Sequence, residues 1–124
     1  MIWVVALGGA VGAALRYLSG RMAIRLGVSD FATVTLCVNV LGSFLMGVAA
    51  IWLVRRGVGN AQFSLFLTTG LLGGFTTFST FSLDLMRLIE AGRFGLAGGY
   101  ATASLVLGLG AIFAGAAVAR MIFT

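Results

Sequence analysis

The segment Gly70-Leu71-Leu72-Gly73-Gly74-Phe75-Thr76-Thr77-Phe78-Ser79-Thr80-Phe81-Ser82 concentrates the polar chemistry of the chain. From Thr76 to Ser82, five of seven residues are Ser or Thr and the other two are Phe. Hydroxyls donate and accept hydrogen bonds without a fixed charge, so a run of them suits a small ion that must enter and leave. Gly73-Gly74 costs about 1 kcal/mol per residue in helix propensity. Neighbouring Ser and Thr side chains can take up the backbone groups that a break frees. The pattern predicts an interrupted helix here. Its half-helix ends would offer carbonyls to a cation on one side and amides to an anion on the other. Phe75, Phe78 and Phe81 recur every three residues, which aligns them along one side. An aromatic ring is positive at its edge, so ring edges facing a pore can contact an anion. The same stripe is otherwise plain helix packing.

Other chemistry lacks its groups. The chain has no His, a single Cys and only three carboxylates, Asp30, Asp84 and Glu90. Metal catalysis and acid–base hydrolysis need clusters of such side chains, and the Ser residues have no general base. The chain is therefore read as no enzyme. Asp84, the one carboxylate that could serve proton coupling, lies close to a predicted helix end. Eight Arg and no Lys leave a net charge of +5. These Arg residues flank apolar runs, where anionic lipid headgroups rather than nucleic acid are the partners.

The elements that must position the hydroxyl run are membrane spans. Of 124 residues, 60% are hydrophobic and 9% are charged, whereas soluble domains carry about 25% charged residues. The mean hydropathy is +1.14. A spanning helix needs about 20 apolar residues, so the length allows four. The runs fall at about 2–18, 31–54, 63–89 and 96–122 of one four-helix domain, residues 1–124. Lipid offers backbone groups no partner, so each run is read as helix, the third broken near the midplane. The first is read as a retained helix, since Arg16 and Arg21 follow the apolar run instead of preceding it.

Four spans place Arg55, Arg56 and Arg120 on one side, and Arg21, Arg25, Arg87 and Arg93 on the other, with Arg16 near that interface. Orientation follows a Lys/Arg imbalance. Here it is slight: either the small bias still fixes one orientation, or, in dual topology, copies insert both ways and assemble antiparallel. Many transporters place their site between inverted repeats. A chain without an internal repeat gains that symmetry only from an inverted copy of itself. Gly8/Gly12, Ser43/Gly47 and Ser104/Gly108 carry the spacing of small residues that lets helices approach closely, and these faces are expected to serve a homo-oligomer. The expected fold is an all-α integral membrane protein with four transmembrane helices per subunit, assembled as a homo-oligomer.

The stretch Gly73 to Ser82 resembles the signature of the Fluc (CrcB) fluoride channels. Gly8-Gly9-Ala10-Val11-Gly12-Ala13-Ala14-Leu15-Arg16-Tyr17 resembles that family's N-terminal motif, and Asn39-Val40-Leu41-Gly42-Ser43 its second-helix motif. The resemblance covers essentially the whole chain. It implies a passive fluoride channel of the bacterial plasma membrane, with two separate pores along the interface of an antiparallel homodimer. It implies that Phe78 and Phe81 face the fluoride path, that Asn39 helps hold the pore, and that Tyr100 and Ser104 form a polar track on the fourth helix. A further track position, Ser in some relatives, falls on Gly108. Ser79, Thr80 and Ser82 are candidate replacements for its hydroxyl. Arg16 would sit at a vestibule. The resemblance also implies a structural sodium ion held by the backbone carbonyls of Gly73 and Thr76 from both subunits. Two other readings stand beside this one: a small dual-topology proton-coupled exporter, and a non-transporting assembly subunit.

Overall fold

The structure is a computed structural model that describes residues 1–28, 30–57 and 60–124. Helix α1 spans Ile2–Arg25 and α2 spans Phe31–Arg56. A composite third crossing follows: α3 (Ala61–Leu65), a π-helical stretch (Phe66–Leu72), α4 (Gly73–Phe75) and α5 (Phe78–Glu90). Helix α6 closes the chain at Phe94–Ile122. Only α1, α2 and α6 are individually long and apolar enough to cross a membrane, among the described residues. The first helix runs past Leu18 to Arg25, because nothing between them breaks a helix and the Arg side chains can reach the headgroups.

The ends are chemically marked. Gly57, in the left-handed region at φ 55°, terminates α2 after Arg55 and Arg56, a C-terminal arrangement in which glycine avoids the Cβ penalty and the Arg charges suit the helix dipole. The Asn60 side chain accepts a hydrogen bond from the Phe63 N–H at 2.9 Å and starts α3.

Two close contacts organise the subunit, and both need glycine. A Cβ on Gly8 would come within 2.7 Å of the Phe66 carbonyl oxygen, and one on Gly12 within 2.8 Å of the Phe75 nitrogen. Helix α1 therefore lies directly on the backbone of the third crossing. On the other side, a Cβ on Gly47 would come within 2.9 Å of the Ala116 nitrogen, and Gly115 lies equally tightly against Phe44. These contacts alter two expectations. Gly8, Gly12 and Gly47 are used inside the subunit, so they do not themselves argue for association of copies. The helix break also sits later than Gly73-Gly74. Both glycines are helical, and the extended residues are Thr76 (φ −82°, ψ 158°) and Thr77 (φ −152°, ψ 122°). Gly74 instead lets the backbone approach Gly9, so closely that a Cβ on Gly74 would stand 2.8 Å from the Gly9 carbonyl oxygen.

The buried core is small, as expected of a chain surrounded by apolar solvent. One cluster gathers Ala32, Leu88, Ala97 and Tyr100. It joins the start of α2, the end of α5 and the start of α6.

Candidate functional site

The site is built on the break. An extended residue between two helices leaves its N–H and C=O without helical partners, and such groups must be satisfied where water is scarce. The Asn39 side chain on α2 meets both. Its Nδ2 donates to the Thr77 carbonyl at 3.0 Å, and its Oδ1 accepts from the Thr77 N–H at 2.8 Å. A side-chain amide carries one donor and one acceptor in the geometry of a peptide group, so Asn39 stands in for a neighbouring strand. Thr77 also caps α5: its Oγ1 accepts from the Thr80 N–H at 3.2 Å and donates to the Thr80 hydroxyl at 3.1 Å. From α1, Arg16 Nε donates to the Gly74 carbonyl at 3.3 Å. Thr76 turns back, its hydroxyl donating to the Leu72 carbonyl at 3.1 Å.

Beside the clamp lies an open groove of about 350 Å³, walled by α2, the break, α5 and α6. Asn39, Ser43, Phe78, Phe81, Ser104 and Gly108 line it, and no charged side chain does. Ser104 Oγ is buried there with no hydrogen-bond partner among the described residues, an arrangement that is costly unless a ligand supplies one. Phe78 is 77% exposed. Its ring centroid stands 5.7 Å from that of Phe81, which meets the Tyr100 ring edge-on at 5.1 Å.

The structure thus brings Asn39, Phe78, Phe81 and Ser104 into one groove. Tyr100 lies behind it: 6% exposed, with its hydroxyl donating to Asp84 Oδ2 at 3.0 Å. Ser79 and Ser82 are exposed and line neither this groove nor the next cavity, and the Ser82 hydroxyl donates to the Phe78 carbonyl at 3.1 Å. Thr80 and Arg16 share a second cavity of about 410 Å³ with Arg21, Asp84 and Arg87. Three guanidinium groups around one carboxyl make that cavity attractive to anions.

Two residues escaped the sequence reading. Ser43, taken there as a packing residue, lines the groove, with its Oγ 3.9 Å from where a Cβ on Gly108 would stand. A hydroxyl is thus present at the level of Gly108, supplied from α2. Its detectable signal was position: Ser43 follows Asn39 by one helical turn, on the same face. Asp84 was expected near a helix end. Instead it sits in the middle of α5 and is 1% exposed. A lone carboxyl in an apolar run was the signal, since such a group needs a dedicated partner.

A bundle of apolar helices whose third crossing breaks to wall an uncharged polar groove defines a polytopic membrane protein, one in which backbone and hydroxyls provide the site. The family described as "CrcB-like protein, Camphor Resistance (CrcB)" matches residues 3–116. The chain belongs to that family. It is 48% identical over 122 residues to the fluoride-specific ion channel FluC of Agrobacterium fabrum, covering 98% of each chain. It is 49% identical over 116 residues to FluC of Cereibacter sphaeroides, covering 94% of this chain and 91% of the relative. To FluC of Rhizobium etli it is 48% identical over 118 residues, covering 95% and 94%. The family is one of membrane channels, and the chain is not an enzyme.

Proposed function

We propose that this chain is a fluoride-selective passive ion channel of the bacterial plasma membrane, a single four-helix domain that works as an antiparallel homodimer with two pores. The observation that carries the reading is the buried, unpartnered Ser104 hydroxyl in a groove without charge. Fluoride is small and strongly hydrated, and it sheds water only where dense donors replace it. Ser104 and Ser43 supply hydroxyl donors, and the edges of Phe78 and Phe81 supply weak positive contacts. With no Arg in the groove, the ion is held loosely enough to leave. Arg16, Arg21 and Arg87 concentrate anions in the second cavity, next to Thr77 and Thr80. Ser79, Ser82 and Tyr100 act as support in this reading, Tyr100 by bearing on the Phe81 ring.

A second copy is needed on physical grounds. Gly73, Phe78, Ser79 and Ser82 are all exposed beside the break, and irregular, polar backbone does not face lipid. An inverted copy covers it and closes the groove into a pore. A sodium ion fits the same place. Hard cations take oxygen ligands, and beyond the helical ladder the described hydrogen bonds include none to the Gly73 or Thr76 carbonyls. Those carbonyls would hold the ion, which would supply a fixed positive charge binding the two copies.

The test is anion efflux from proteoliposomes loaded with fluoride or with chloride, read with ion-selective electrodes. Fast fluoride release once a potassium ionophore shunts the voltage, with negligible chloride release, is the expected result. Release that depends on a proton gradient instead would favour the coupled exporter, with Asp84 as its carboxyl. No release from folded protein would leave the assembly subunit.

A further inference from the structure

The far ends of α2 and α6 form a basic cluster that the ion path does not use. Ala32 packs with Ala97 and Tyr100 where α2 and α6 start, and Gly47 lies against Ile112 and Ala116 further along, so the two helices run parallel. Their last turns therefore come together. The last turn of α2 carries Arg55 and Arg56, and that of α6 carries Arg120. The Arg56 guanidinium stands 5.4 Å from the ring centroid of Phe123, three residues beyond Arg120. All three Arg are exposed.

No acidic side chain accompanies them. The carboxylates of the chain, Asp30, Asp84 and Glu90, all belong to the opposite end. Asp30 precedes α2, and α5 carries the other two toward it, as the Arg87 guanidinium 5.7 Å from the Phe31 ring shows. Trp52, one turn before Arg56, packs edge-on against Phe63 with ring centroids 6.1 Å apart. Aromatic residues at such a level mark the membrane–water interface. The cluster thus sits at headgroup height, with three planar donor forks and no acidic side chain beside them.

We propose that Arg55, Arg56 and Arg120 bind the phosphate of an anionic glycerophospholipid at this end of the α2–α6 pair. Guanidinium groups pair bidentately with phosphate oxygens. Phe123 holds the Arg56 guanidinium in place through a cation–π contact. A basic side chain near an anionic membrane surface contributes about fivefold in affinity. The inference is independent of the fluoride reading, because it concerns binding and not flux.

The experiment uses the full chain with Trp3→Phe, which leaves Trp52 as the sole indole. The protein is reconstituted in phosphatidylcholine vesicles that carry a small fraction of brominated phosphatidylglycerol or brominated phosphatidylcholine. The expected result is stronger quenching of Trp52 by the anionic lipid, with its apparent affinity falling about fivefold for each of Arg55→Gln, Arg56→Gln and Arg120→Gln. The corresponding Lys variants, which keep the charge and lose the fork, should retain only part of the preference, and Arg25→Gln at the opposite end should leave it unchanged. Equal quenching by the two lipids overturns the proposal. So does a preserved preference in the triple Gln variant. Relief of quenching by millimolar inorganic phosphate would assign the cluster to a free anion and also overturn it.

Discussion

Replacing Asn39 by Ala separates the clamp from everything else in the chain. The substitution removes two hydrogen bonds, at 3.0 and 2.8 Å, and leaves both the N–H and the C=O of Thr77 unpaired at the break. An orphaned backbone group costs about 1–3 kcal/mol, while hydrogen bonds between membrane helices average only about 0.6 kcal/mol in double-mutant cycles. Two bonds therefore contribute about 1–3 kcal/mol to holding Thr77 extended, the lower end applying where lipid-side partners reform. With a tenfold change for each 1.4 kcal/mol, the intact break is depopulated between about fivefold and a hundredfold. Fluoride efflux from reconstituted Asn39→Ala should fall by at least about fivefold, and the melting temperature in detergent should drop. Asn39→Asp discriminates further. Its carboxylate accepts from the Thr77 N–H but repels the Thr77 carbonyl and places a negative charge in the groove, so its flux should be lower still. Asn39→Ala protein that conducts at the parental rate and melts at the parental temperature would refute the clamp.

Four further outcomes follow from the geometry. Tyr100→Phe removes the only side-chain hydrogen bond to the buried Asp84 among the described residues; it should destabilise the subunit by about 1–3 kcal/mol in thermal unfolding, and Asp84→Asn, which keeps an acceptor, by less. Gly12→Ala drives a Cβ into the backbone of Leu71 and Phe75 and should yield aggregated or poorly folded protein on size-exclusion chromatography, whereas Gly9→Ala, whose Cβ meets nothing within 4 Å, should fold normally. Phe78→Ile and Phe81→Ile should each reduce fluoride efflux while leaving the oligomeric state intact; unchanged efflux in both would remove the rings from the path. Ser43→Ala should lower efflux, and Ser43→Ala with Ser104→Ala more steeply, because the groove then loses both of its free hydroxyls.

Composition and apolar run length made the helical membrane fold legible, because lipid leaves backbone groups no alternative to the helix. The interruption in the third crossing was legible too, but not its place. Propensity pointed to Gly73-Gly74, yet Gly74 is needed where the third crossing touches Gly9 of α1, and a helix can tolerate a glycine that enables packing. The true break was decided by Asn39, distant by 38 residues from Thr77, and no local pattern reports such a partner. The π-helical turn at Phe66–Leu72 was invisible for the same reason: it adjusts the facing of Gly70 toward Gly8, 3.0 Å from the Cβ position. Tyr100 shows the limit of carrying roles by residue type. Its hydroxyl suggested a polar lining, but a buried carboxyl on α5 claims it.

The distribution of charge supports an inverted partner more firmly than the small-residue spacings do. Gly8, Gly12 and Gly47 bind helices within one subunit, so they carry no information about a second. Arg55, Arg56 and Arg120 stand at one end, and Arg21, Arg25, Arg87 and Arg93 at the other. Orientation responds to Lys and Arg near the ends of spans and hardly to Asp or Glu, so the surplus of one or two Arg is a weak instruction. In the proposed dual-topology reading, inserted copies of both senses would be present together. Each exposes the same unfinished face, with Gly73 and Phe78 beside the Thr76-Thr77 break. An inverted copy answers that face with its own break at the same depth, and its two-fold axis lies in the membrane plane. A parallel copy would set its break at that depth as well, but with a two-fold axis along the membrane normal, so both vestibules of Arg16, Arg21 and Arg87 would open on one side. The inverted pairing proposed above would give each side of the membrane an anion-attracting entrance, so that an anion arriving from either side meets the same field.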